Sequence, residues 1–380
     1  MSIEIKKCAV LGAGVMGAQI AGHIANAGIP SLLFDINEDL AQKGVDGLTK
    51  LKPAPLFTSS NASLITPCTY ENDIEKLSDC DLIIEAVAEK IEIKHLVYKN
   101  LLPHLKSDAI LASNTSGIPL ANLVEVLPED VQKNFLIAHF FNPPRYLKLL
   151  ELVKGKKTSD KVYKTMTEFG ETTLGKGIVH AKDTPGFIGN RLINAGGPLT
   201  YHKAIEMGLT VEDVDALSGT LVGNAKSAYF RTQDVVGLDT ALNVQNNMYE
   251  RVTTETEEER QKFKAPDMLV KLVEQGRLGQ KSGSGWYKKE GKQILSLDLD
   301  TMEYTPTKKR MFDTIRVGKP IKDLKKRLAA ITYLDDIGAK FLWEVNAPML
   351  IYTAELIPEI ADSIVEIDNA MRWGFAREIG

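Results

Sequence analysis

The sequence predicts an α/β protein: a Rossmann-type doubly wound parallel sheet, then an all-α region with a partial helical repeat. Three observations predict it. Up to residue 153, short apolar runs alternate with amphipathic stretches, the pattern of strands joined by crossover helices. The first run, Cys8-Ala9-Val10-Leu11, meets Gly12-x-Gly14-x-x-Gly17 and opens into a helical period. After Asp183-Thr184-Pro185-Gly186 the strand pattern stops and long helical periods take over.

The elements follow in order. Ala9-Val10-Leu11 is a strand, Ala18 to Ala27 a helix closed by Gly28, and Leu32-Leu33-Phe34 a second strand ending in Asp35. A helical hairpin is expected over Asp39 to Lys52. Asp81 to Glu85 reads as a buried strand, Glu89 to Leu105 as an amphipathic helix and Ala109 to Ala112 as a strand. Ile118 to Val126 is helical, and Phe135 to His139 and Leu149 to Val153 are strands. Helices are expected from Phe187 to Gly208, from Val211 onward and over 326–373. Gly276 to Trp286 reads as a loop, and 289–325 as polar and irregular. Pro198 to Tyr201 followed by Val211 to Leu217 is echoed by Pro348 to Tyr352 followed by Ile364 to Met371, which suggests a duplicated helical unit.

The glycine turn carries the first chemistry. Gly12 permits a tight turn, Gly14 lets a pyrophosphate approach the backbone at a helix N-terminus, and Gly17 lets helix and strand pack closely. Asp35 stands about twenty residues on, where a carboxylate accepts the hydroxyls of an adenosine ribose and repels a 2′-phosphate. The pattern predicts a dinucleotide site with NAD as the cofactor. Its residues are Gly12, Gly14, Val15, Met16, Gly17 and Asp35.

Further polar groups lie where strands end, the place ligands occupy in open α/β sheets. Ser113-Asn114-Thr115-Ser116 closes one strand and His139-Phe140-Phe141-Asn142-Pro143 another. The hydroxyls also suit a helix cap, and a lone buried histidine often just bonds backbone. Glu151 shifts that balance. A carboxylate inside the apolar run Leu149 to Val153 needs a partner. Lys148 competes, but neighbours along a strand face opposite ways, which leaves His139. A carboxylate on one ring nitrogen fixes the tautomer and stabilises the imidazolium, so His139 is a candidate general base. Asn190 lies in the first turn of the helix after the Pro-Gly junction, where it can face a cleft.

Composition excludes several classes. A chain of 380 residues, 44% hydrophobic and 25% charged, is ordinary for a globular protein of two or three domains. The net charge of −4 gives no reason to expect nucleic acid. No apolar run is long enough for a membrane span, and residues 1–20 read as no signal peptide. Cys8, Cys68 and Cys80 have no metal spacing, so no metal is expected, and reduced thiols fit a cytoplasmic protein.

With these motifs in place, the chain resembles the 3-hydroxyacyl-CoA dehydrogenase family. The matching stretches are the glycine turn, Asp35, Ile84 to Glu89 with Lys94, Ser113 to Ser116, His139 to Pro143, Glu151, Lys182 to Phe187 with Asn190-Arg191, and Gly279 to Tyr287. The resemblance implies NAD-dependent oxidation of a (S)-3-hydroxyacyl-CoA in fatty-acid β-oxidation. His139 would be the base and Glu151 its orienter. Ser116 and Asn190 would bond the substrate. Asn142, Glu89, Lys94 and Lys281 would serve the cofactor, although on the residues alone Glu89 and Lys94 read as a solvated helix start. The implied domains are 1–184 for NAD, 185–290 for the helical C-terminal domain, 291–325 a linker and 326–380 a partial second repeat. The repeat resembles multifunctional fatty-acid oxidation enzymes. It implies an enoyl-CoA hydratase domain beyond the C-terminus, an acyl-CoA substrate and weak self-association.

Three departures stand out. The hairpin after Asp35 is abbreviated and ends in Lys50-Leu51-Lys52-Pro53, so coenzyme A contacts do not transfer by position. Ser227 to Arg231 replaces a family turn, and the second repeat stops at Gly380. A sugar-acid (gulonate-type) dehydrogenase of the same superfamily and a non-catalytic structural relative are the competing readings.

Overall fold

The structure is a computed structural model that describes residues 3–252 and 256–380. The chain divides into two compact units, Met1–Ile188 with Pro358–Gly374, and Gly189–Ile357 with Phe375–Gly380.

The first unit is built on one eight-stranded sheet: β1 (Cys8–Leu11), β2 (Ser31–Asp35), β3 (Ile65–Thr69), β4 (Leu82–Glu85), β5 (Ile110–Ser113), β6 (Phe135–Phe140), β7 (Leu149–Lys154) and β8 (Gly177–Ala181), in the order β3-β2-β1-β4-β5-β6-β7-β8. The strands up to β6 pair in parallel, and their near-complete burial fits their continuous apolar runs. β7 runs antiparallel to β6, and β8 runs parallel to β7. The connection over 141–148 is too short for a crossover, so the chain must reverse there. This corrects an all-parallel reading, and it sets His139 directly opposite Glu151.

β3 and β8 had no strand signal. Both are edge strands, and β3 contains Pro67, which an edge tolerates because one side of its backbone needs no ladder partner. The expected hairpin after Asp35 is instead a single helix, Glu38–Leu48, capped by the Asn37 side chain. The loop that follows is held by other side chains: the Arg145 guanidinium donates to the carbonyls of Ala54 and Leu56. Val15–Asn26 forms the first helix, and its buried face packs against the sheet core around Val10, Leu33 and Ile84.

The helix Ile364–Gly374, expected as part of the second repeat, lies in this unit on β7 and β8. Two glycines allow the close approach. A Cβ on Gly177 would meet Trp373 at 2.3 Å, and one on Gly374 would meet Leu149 at 2.5 Å. Glu366 accepts from the edge N–H of His180 at 3.0 Å.

The second unit is mainly helical. Gly189–Glu206 and Ile337–Glu355 pack together, and each is a long helix with an internal proline, Pro198 and Pro348, as the sequence echo suggested. Arg191 is fully buried and donates to the Tyr352 hydroxyl at 3.0 Å. Residues read as polar and irregular form an antiparallel sheet of β9 (Tyr287–Glu290), β10 (Gln293–Leu297) and β11 (Tyr304–Pro306). Its edge strands are short with little burial, and the buried run Leu295 to Leu297 of the central β10 is too short to mark a strand. In the basic segment that follows, Arg327 is not simply solvated. It donates to the carbonyls of Ile321, Lys322, Thr220 and Leu221. Among the described residues no helix is long and apolar enough to cross a membrane.

Candidate active site

The site residues of the first unit gather at the carboxyl ends of its strands. At the end of β1, Gly12 adopts φ +101°, a region open to glycine, and a Cβ there would strike the Ala86 carbonyl at 2.7 Å. A Cβ on Gly17 would fall 1.8 Å from the Gly12 carbonyl oxygen, so the helix can sit this close only with glycine. Gly14 is different: nothing lies within 4 Å of its would-be Cβ. Gly14 is also the helix N-cap, with no side chain capping it and no acid in the first turn. No side chain caps the first-turn N–H groups, and the space beside Gly14 is open, the arrangement a pyrophosphate needs. Val15 is 68% exposed and Met16 half-buried on the same turn.

Asp35 at the end of β2 accepts from Ala13 N at 2.8 Å through one oxygen and from Ile36 N at 2.7 Å through the other. A carboxylate has about four acceptor sites. Two remain for a pair of ribose hydroxyls, so these residues fit the adenosine half of NAD.

The next two strands end in a buried charged cluster. Glu85 closes β4 and is fully buried. Its carboxylate accepts from Lys94 Nζ at 2.6 Å, Val87 N at 2.9 Å, Tyr98 Oη at 2.9 Å and Ser113 Oγ at 2.6 Å. Lys94 and Tyr98 stand one turn apart on the helix Ile91–Leu101 and so share a face. Burial and the Glu85 charge raise the Tyr98 hydroxyl well above its ordinary range. Lys94 also approaches Glu89 at 3.3 Å. Glu89 in turn accepts from Thr115 Oγ1 at 2.7 Å, Ser116 N at 3.0 Å and Ser116 Oγ at 3.2 Å. The solvated helix start expected for Glu89 and Lys94 is therefore corrected: Lys94 is 1% exposed, and both residues are tied to the strand ends.

His139 and Glu151, paired across β6 and β7, meet through Nδ1 and Oε2 at 2.7 Å. Glu151 is fully buried, and its other oxygen accepts from Ile188 N at 3.2 Å. The rings of Phe141 and Phe187 flank the imidazole, at 4.4 Å and 5.7 Å between centroids. With Nδ1–H donating to the carboxylate, a neutral ring keeps its lone pair on Nε2, the state a general base requires. Just beyond, Asn142 Oδ1 accepts from Gln19 Nε2 at 3.0 Å, which ties the strand end to the first helix. The Lys176 ammonium, 4% exposed, donates to the carbonyls of Pro144 and Leu147 and holds the following loop. Burial pushes that lysine down to about 8.

The structure thus brings Gly12, Gly14, Gly17, Asp35, Glu89, Lys94, Ser116, His139, Asn142 and Glu151 into one unit. Asn190 and Lys281 belong to the other. Asn190 is in the first turn of the helix Gly189–Glu206, and Lys281 is ion-paired with Asp239 at 2.5 Å. Sequence reasoning missed Glu85, Tyr98, Gln19 and Lys176. Glu85 carried the same signal as Glu151, a charge within an apolar strand.

Comparison with known proteins agrees with this geometry. The profile of the 3-hydroxyacyl-CoA dehydrogenase NAD-binding domain matches residues 7–184, and that of the family's C-terminal domain matches 186–289. The chain belongs to the 3-hydroxyacyl-CoA dehydrogenase family. Its N-terminal region is an NAD-binding domain. A Bacillus subtilis protein described as "Probable 3-hydroxyacyl-CoA dehydrogenase" is 42% identical over the whole of this chain, which spans 50% of that protein's length. A Deinococcus radiodurans protein of the same description is 44% identical over 76% of this chain and 84% of its own. The crystal structure of FadB2 from M. tuberculosis covers 75% of this chain and 99% of its own, with 33% identity and a TM-score of 0.64.

Proposed function

We propose that the chain oxidises (S)-3-hydroxyacyl-CoA to 3-oxoacyl-CoA with NAD, as a step of fatty-acid β-oxidation. The observation that carries this reading is the buried His139–Glu151 pair at the carboxyl end of the sheet, in a unit whose glycine turn and Asp35 fit NAD. When bound, NAD⁺ supplies the acceptor for the hydride that leaves C3. The work of this chain is to take the other hydrogen. His139 Nε2 accepts the proton of the 3-hydroxyl as the C3–O bond becomes a carbonyl. Glu151 holds the ring by Nδ1 and stabilises the imidazolium formed. Proton capture by a positioned base contributes about 10²–10⁴ in rate. Ser116 and Asn190 hold the hydroxyl or the thioester carbonyl. Glu89 and Asn142 hold the ribose and amide of the cofactor's second half, Lys94 fixes Glu89 from within the unit, and Lys281 carries the same expected role on the second unit.

An enoyl-CoA hydratase is the partner this reading favours, since the whole chain is 34% identical to part of a Rickettsia felis protein described as "Putative fatty acid oxidation complex trifunctional enzyme". Weak self-association fits the apolar face of the helix Ile337–Glu355, where Trp343, Leu350 and Ile351 are each more than half exposed. The activity is tested by following NADH absorbance with (S)-3-hydroxybutyryl-CoA, a long-chain homologue and L-gulonate. Turnover with either thioester and none with gulonate supports the reading. Turnover confined to gulonate overturns it.

A further inference from the structure

We propose that Trp373 is a positioning residue for the His139–Glu151 pair: it seats the helix Ile364–Gly374 on the face of β7 and β8 that carries Glu151. The assignment rests on the proton-transfer reading above. It brings into the site a segment beyond both domain profiles of the family, which end at residues 184 and 289. Strand parity fixes the faces. Leu149 and Glu151 share one face of β7, and their register partners Gly177 and Val179 share it on β8. His139, opposite Glu151, is on that face too. Leu150, Leu152 and Ile178 point the other way, into the core with Val162 and Met166 of the helix Asp160–Glu168.

The Glu151 face needs a cover of its own, because a carboxylate acts on an imidazolium most strongly where water is kept out. The helix Ile364–Gly374 supplies it, with a buried stripe of Ile367, Ala370, Met371 and Gly374. One end is tied at the edge of β8, where Glu366 accepts from His180 N at 3.0 Å and Lys182 N donates to the Ile360 carbonyl at 3.0 Å. The other end is tied where Trp373 meets Gly177 and Gly374 meets Leu149. Val179, fully buried, stands between the two anchors, and it is the register partner of Glu151. Trp373 closes the end nearer the carboxyl end of β6. Lys148 Nζ lies 4.7 Å from its ring centroid, and the Lys148 carbonyl accepts from Gly177 N at 2.8 Å. Gly177 leaves the indole no slack, since a Cβ there would overlap it. Removing the indole opens the Leu149 end of β7, two residues from Glu151, to water.

The test separates a rate from an amount. Single-turnover NADH formation from (S)-3-hydroxybutyryl-CoA in the full chain gives both a rate constant and an amplitude. Trp373→Ala should lower the rate constant about tenfold, with the NAD⁺ dissociation constant kept. Trp373→Phe, which keeps a ring against Gly177, should stay within about threefold of wild type. In a Glu151→Gln background, Trp373→Ala should change the rate constant by less than about twofold, because it acts through Glu151. A Trp373→Ala rate constant within about twofold of wild type overturns the assignment. So does an equal fall in both backgrounds, or a loss confined to amplitude and Tm, since the helix would then support the fold alone. Should Trp373→Ala not fold, Trp373→Leu takes its place, with a fall of about threefold expected and none in the Glu151→Gln background. A Glu151→Gln rate equal to that of the wild type would overturn the proton-transfer reading itself, an outcome distinct from a Trp373 effect that ignores Glu151.

Discussion

Two buried pairs at the carboxyl end of one sheet, His139–Glu151 and Lys94–Glu85, look alike by distance, 2.7 Å and 2.6 Å. They differ in what is left over. Glu85 is saturated by four donors, and the Lys94 ammonium is shared between two carboxylates, so neither carries a vacant acceptor for a substrate proton. In the other pair a single ring nitrogen is taken by Glu151, and the second retains a lone pair. The first pair is suited to hold charge still and the second to move a proton. Burial of a charged pair therefore does not identify a catalytic group. The free valence does.

The largest effect that would break this comparison is on stability. Lys94→Met alone strands a buried carboxylate and should cost about 3–5 kcal/mol in urea unfolding. Combined with Glu85→Gln, the loss should fall to about 1 kcal/mol, because neither charge is then left unpaired. Additive losses would mean that the two groups do not pair in solution.

Glu151→Gln comes next. It keeps a hydrogen-bonding group against Nδ1 but removes the charge that stabilises the imidazolium. We expect kcat to fall about ten- to hundredfold, with the NAD⁺ dissociation constant unchanged. An unaltered kcat with weakened cofactor binding would remove Glu151 from the proton transfer.

A third histidine sharpens the contrast at smaller magnitude. His23 is buried, and its Nε2 bonds the Leu174 carbonyl at 3.0 Å, with no carboxylate bonded to it. Burial first, and Lys176 second, hold it down to about 4 against the Leu174 bond, below the ordinary 6.5. Above pH 6.5 neither state carries the proton and His23 costs nothing. As the pH falls from about 6.5 to about 4, the unfolded chain takes up a proton that the folded chain refuses, and stability is lost over that window. The loss should be on the order of 1–2 kcal/mol in pH-dependent urea unfolding, and His23→Gln should flatten it. A profile of the wild type identical in slope to that of His23→Gln over that range would contradict the buried neutral state, since Asp215 and Asp234, both raised by burial to about 6, titrate in the same window in both proteins.

Much of this site was legible because β-structure writes its periodicity into the sequence. Glu151 stood out as a charge in an apolar strand, and the short 141–148 connection makes its pairing with His139 a matter of register. The glycine turn was legible for the same local reason, since Gly12 and Gly17 answer to contacts within one strand–turn–helix. Lys94 was not. Its burial depends on a tertiary contact between a helix and the end of β4, and on a helix surface a lysine beside glutamates reads as solvated. β3, β9 and β11 were lost because edge strands need no apolar alternation, and the central β10 because its buried run is only Leu295 to Leu297. The docking of Ile364–Gly374 on the sheet turned on Gly177 and Gly374, whose role is visible only once Trp373 and Leu149 are in place.

The central claim, that His139 moves the proton while the buried Lys94–Glu85 pair does not, is tested most directly by the single-turnover rate of NADH formation from (S)-3-hydroxybutyryl-CoA in His139→Gln. The account predicts a fall of about 10²–10⁴ with NAD⁺ and NADH affinities unchanged, because the ring nitrogen that accepts the proton is gone and the cofactor cluster is intact. A rate close to that of the wild type would contradict it.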